Sequence, residues 1–133
     1  MSDYIFYTKV ASSKFVLDSV SQAEIALGHG LTYRFDQSDS SNATHPLRFS
    51  ATSDGTHAGG GASEYTTGVT SSGTPGSSGA YTQIAVTSST PASLYYYCSA
   101  HSGYGAAVIT TGDTHVTTSN LGLLVPILAD STD

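Results

Sequence analysis

Apolar and polar positions alternate with a period of two along most of this chain, in short runs punctuated by Gly, Ser, Asn and Asp. That period is the signature of half-buried strands. It predicts strands over residues 4–10, 14–17, 31–36, 47–51, 80–86 and 94–98, with the first two paired across Ala11-Ser12-Ser13. Residues 31–36 put Leu31, Tyr33 and Phe35 on one face. Residues 23–27 read as a strand or a short helical turn, and Gly28-His29-Gly30 as a turn. Residues 106–111 supply one further strand. In Tyr95-Tyr96-Tyr97 the outer two rings face one way and Tyr96 the other, so one face belongs to the core. The other face is covered by a loop or left for a partner.

Between Thr52 and Gly79 the pattern lapses into a Gly/Ser/Thr-rich stretch, within which residues 64–69 could form a short strand. Composition alone suggests a disordered linker. Apolar strands flank it on both sides, however, and long loops inside compact domains are usually functional or partly ordered. It is read as a surface excursion within one domain. Residues 121–128, "LGLLVPIL", form the most apolar run, and Pro126 argues against a helix interior or a central strand. Leu121, Leu123, Leu124, Val125, Ile127 and Leu128 are candidates for packing against the domain's own sheet or a neighbouring chain. The expected architecture is all-β: a single antiparallel β-sandwich over residues 1–110, with a C-terminal arm over 111–133.

Composition sharpens this picture. Gly, Ser and Thr supply 54 of the 133 residues, and charged residues only 11%. Tyr, Thr and Val suit pleated surfaces better than helices. A net charge of −6 with four Lys plus Arg leaves no basic cluster to neutralise phosphates, which argues against a nucleic-acid partner. One cysteine excludes an internal disulfide framework. No secretory leader or membrane-spanning run is visible, so synthesis and folding in a cytosol are expected. Neither G-x-x-x-x-G-K-[ST] nor G-x-S-x-G occurs, so no enzyme class is indicated.

The chemistry-bearing residues gather around "LYYYCSAHSGYGA". Cys98 and His101, joined by an upstream histidine, make a thiolate–imidazole set suited to copper or zinc. His45, at the end of the connection after residues 31–36, is the best candidate for the third ligand. His57 fits a polar turn better, and His29 and His115 read as surface residues.

With those residues in place, "GLTYRFDQSDSSNATHPLRF" and "ASLYYYCSAHSGYG" resemble the histidine loop and the C-x-x-H-x-x-M ligand loop of the cupredoxin family. The resemblance implies a Greek-key sandwich and a type-1 copper set of His45, Cys98 and His101. The axial position carries Tyr104 where the family has Met. A phenol, with an ordinary pKa of about 10, is a poor substitute for a thioether. The expectation is therefore a vestigial pocket without a cofactor, copper being the metal the set would otherwise suit.

A longer resemblance covers residues 14–105. The motifs HPLRFS, SDGTH, YTTGV, GTPGSSGAYTQI and YYYCSAHSG are similar to a cupredoxin-like module of structural proteins in marine tailed bacteriophages, notably cyanophages. It implies a virion structural protein without enzymatic activity, and the stand-alone length favours a capsid decoration (cement) protein. Its expected partners are the major capsid protein and further copies of itself, such as a trimer, with no nucleic acid and no membrane. It would be made in the host cytoplasm and reside on the outer capsid surface. Two other readings stay open: a copper electron carrier, and a host-surface-binding module on a tail or fibre.

Overall fold

The computed structural model describes residues 3–55 and 64–112. Of the expected arm, residues 111–112 continue the last strand, and residues 113–133, with Leu121, Leu123, Leu124, Val125, Ile127 and Leu128, lie outside the described residues, as do His57 and His115.

The protein is an all-β sandwich. Its strands are β1 (Tyr4–Ala11), β2 (Lys14–Leu17), β3 (Val20–Ser21), β4 (Ile25–Gly28), β5 (Thr32–Asp36), β6 (Leu47–Ser50), β7 (Glu64–Tyr65), β8 (Val69–Ser72), β9 (Tyr81–Ala85), β10 (Ser93–Cys98) and β11 (His101–Gly112). One sheet runs β3-β2-β1-β5-β9-β8 and the other β4-β11-β10-β6-β7. Neither is purely antiparallel, which corrects that detail of the sequence reading: β1 pairs with β5, and β11 with β4, in parallel. Parallel neighbours need a crossover between them. Here β4 supplies one, because the chain leaves the first sheet after β3, adds β4 to the second, and returns as β5 beside β1.

Residues 25–28 resolve the strand-or-turn ambiguity in favour of a strand, buried at every position. The excursion is partly ordered, as its β7 joins β6 while its β8 joins β9. The final strand begins at His101, earlier than the apolar pattern indicates, because residues 101–103 are exposed and give no periodic signal. The first two hairpins turn at Ser12-Ser13 and Asp18-Ser19, all at positive φ, as two-residue turns matched to strand twist require. Asp18 holds this end together by accepting hydrogen bonds from the Tyr4 hydroxyl (2.8 Å) and the Tyr7 amide (2.9 Å).

Alternation places the core. Tyr33 and Phe35 of β5 are fully buried, and Phe35 bridges the two sheets. Its ring stacks on Phe6 at 4.7 Å, meets Phe49 of β6 edge-on at 5.4 Å, and lies 6.5 Å from Tyr96 of β10. Such pairs add stability beyond the area they bury. Tyr96 also donates from its hydroxyl to the Ala23 carbonyl at 2.7 Å, so its polar tip is satisfied within the core. Tyr97, on the opposite face, is buried beneath Gly55. Phe35→Ala should cost about 3–5 kcal/mol of stability, by loss of transfer energy and by the cavity left between the sheets. Urea unfolding would show it as a lowered midpoint at unchanged slope.

Candidate metal centre

One end of the sandwich collects the chemistry. The connection from β5 to β6 carries His45, and its shape is set by two buried side-chain amides. Gln37 continues the inward phase of Tyr33 and Phe35, so its polar head enters the interior. Its Nε2 donates to the His45 carbonyl (2.7 Å) and to Asn42 Oδ1 (3.1 Å), while its Oε1 accepts from the Leu47 amide (3.0 Å). Asn42, within a single 3-10 turn at Ser40–Asn42, donates to the Thr8 carbonyl at 2.8 Å. The His45 amide in turn donates to the Asn42 carbonyl at 2.8 Å. The excursion braces this loop from outside. Gly76 donates to the Gln37 carbonyl at 2.8 Å, and a Cβ at Gly76 would lie 2.8 Å from the Ala43 backbone.

Cys98 and His101 stand opposite each other across the tight Ser99-Ala100 connection, next to an irregularity between Tyr96 and Cys98. The Ser99 amide donates to the Pro46 carbonyl at 3.1 Å, which ties this hairpin to the His45 loop. Beyond His101 the chain is clamped again. The Gly103 amide donates to both carboxylate oxygens of Asp54 (3.1 and 3.0 Å). Its carbonyl accepts from Lys14 Nζ (3.1 Å) and Gln22 Nε2 (3.2 Å), and Gln22 also reaches the Gly105 carbonyl (2.9 Å). A Cβ at Gly105 would lie 1.8 Å from the Tyr96 carbonyl oxygen, so only glycine fits there.

The result is convergence. Cys98 Sγ lies 3.7 Å from His45 Nδ1 and 3.6 Å from His101 Nδ1, and the three ligand atoms all lie within 4.8 Å of one another. A cation about 2.3 Å from a thiolate and about 2.0 Å from an imidazole nitrogen spans a sulfur–nitrogen distance of about 3.6 Å at trigonal to tetrahedral angles. The spacing fits. Cys98 is buried, His45 half-buried and His101 exposed, so the group opens to solvent on the His101 side. Burial pushes the Cys98 thiol up, and the Ala100 and His101 amides partly offset this. Burial, then the neighbouring His101, push His45 down. The metal-free group therefore favours neutral thiol and neutral His45, and a cation would displace the thiol proton on entry.

Tyr104 is also here, 7% exposed. Its ring stacks on His45 at 4.9 Å and on His101 at 5.4 Å, both at 26°, and meets Phe15 edge-on at 5.7 Å. His29 is separate: half-buried, not a free surface residue, with Nε2 3.2 Å from the Thr110 carbonyl.

The supporting residues escape a sequence reading to different degrees. Gln37 has a signal, being a polar residue at an inward position of an alternating strand. Lys14, Gln22 and Asp54 have none, since each reaches the site from a distant part of the chain.

No protein-family model, curated protein or solved structure matches this chain. Among the described residues no helix is long and apolar enough to cross a membrane.

Gln37→Leu, close in volume, would leave the Leu47 amide and the His45 carbonyl without their buried partner. Each such group costs about 1–3 kcal/mol, so a loss of at least about 2 kcal/mol in chemical denaturation is expected.

Proposed function

We propose that this chain is a structural β-sandwich of a bacteriophage particle that retains a soft-metal centre at one end. The observation that carries the metal reading is the convergence of Cys98 Sγ with His45 Nδ1 and His101 Nδ1 at 3.7 and 3.6 Å. These are the residues that the cupredoxin resemblance assigns as ligands. Two buried amides hold the His45 loop, and a carboxylate clamps the chain beyond His101. The virion reading rests on the resemblance of the long motifs to the phage module, and the acidic, Gly/Ser/Thr-rich composition suits a particle surface.

In this role the protein binds and braces; it does not catalyse. Bound copper would supply a covalent thiolate–metal bond and a one-electron couple. The chain's own residues do the rest. Gln37 and Asn42 orient the His45 loop, the β10–β11 hairpin presents Cys98 and His101, and the Tyr104 ring packs against both imidazoles. Ligands from two connections are then joined at one point, so metal affinity becomes stability of the sandwich end. On the particle, the favoured position is the outer capsid surface, as a decoration protein contacting the major capsid protein and neighbouring copies. The apolar residues at 121–128 are the candidate joining segment.

Two measurements test the two halves. Adding Cu(II) to the metal-free protein should produce an intense visible thiolate-to-copper absorption, absent in Cys98→Ser; a colourless wild type would remove copper from the account. Copy number in purified particles should run to hundreds, as for a capsid coat. A handful of copies would place the chain on the tail.

A further inference from the structure

The metal centre has a neighbour that its donor set does not explain. Tyr104 lies against both imidazoles at once, nearly parallel to each, while the imidazoles are 4.6 Å apart and inclined at 46°. A stacked ring presents its carbon face. The phenol oxygen lies in the ring plane, and that plane is tilted by 26° from each imidazole. The ring is also fixed. Phe15 packs edge-on against it, Asp54 and Lys14 pin the preceding residue, and Gly105 seats its backbone against the Tyr96 carbonyl with no room for a side chain. Swinging the ring aside would break its edge-on contact with Phe15.

We propose that Tyr104 sets the metal specificity of the centre: its ring closes the fourth position with carbon, limits the site to three donors, and so selects monovalent copper over zinc. This rests on the reading of His45, Cys98 and His101 as a metal centre. Zinc sites are almost always four-coordinate, with a protein ligand or water completing the set. A thiolate suits monovalent copper and zinc alike, so the discrimination falls on donor number, to which the stacked face of the ring adds nothing. Tyr104 is thus a positioning residue that acts by shape, its ring lying against both imidazoles.

The test uses the full chain under anaerobic conditions. Cu(I) affinity is read by competition with a coloured chelator, and Co(II), as a spectroscopic stand-in for zinc, by its visible bands. Wild type is compared with Tyr104→Phe, Tyr104→Met, Tyr104→Ala and Cys98→Ser, with thermal unfolding as the folding control. Tyr104→Phe should match wild type in both titrations, because the ring and not the hydroxyl acts. Tyr104→Met should shift the preference toward Co(II) by about tenfold to a hundredfold, with tetrahedral bands appearing. Tyr104→Ala, which admits water, should shift it in the same direction. The near-isosteric Phe and Met variants carry the test if the Ala variant unfolds. A Tyr104→Phe protein behaving like the Ala variant would make the hydroxyl a donor and overturn the proposal. So would equal metal preference in all variants. Should wild type bind neither ion better than Cys98→Ser, the metal-centre reading itself fails, and this proposal with it.

Discussion

The inward phase of β5 is the constraint on which the rest of the molecule depends. Tyr33 and Phe35 carry it into the core, and Phe35 joins the sheets by touching Phe6, Phe49 and Tyr96 together. Two residues further on the same phase delivers Gln37, whose amide cannot be buried unpaired without a large penalty. The connection that follows must therefore fold back so that His45, Asn42 and Leu47 present their backbone and side-chain partners. Hydrophobic alternation thus fixes the position of His45, a candidate ligand, through the polar residue that interrupts it.

The second constraint is steric. β10 and β11 approach so closely at Tyr96 and Gly105 that a methyl group cannot enter. This sets the hairpin on which Cys98 faces His101, and it brings Tyr104 inward with Phe15 behind it. The two constraints meet where the Ser99 amide bonds to the Pro46 carbonyl. Both constraints lie in the fold itself, and together they set where the three donors meet.

Much of this was legible in the sequence where the signal is local. Period-two runs marked the long strands, and Cys-x-x-His in a late hairpin marked the site. His45 could be picked out by its place between a strand and a proline. Signals were weak where burial is one-sided or absent: β8 is nearly all exposed, β3 is two residues long, and the opening of β11 is polar. The parallel pairs could not be read, because they depend on which sheet β4 joins. Nor could the clamp on Gly103, assembled from Lys14, Gln22 and Asp54 across long stretches of chain. Tyr104 was visible as a departure from a ligand pattern, but only its packing shows the ring lying against both imidazoles.

On the proposed reading, Cys98, His45 and His101 act together as donors to one soft cation. X-ray absorption at the copper edge of the Cu(I)-loaded protein reads the donor set itself. One sulfur and two imidazole nitrogens are expected in the first coordination shell. A shell of oxygen and nitrogen donors without sulfur would contradict that reading.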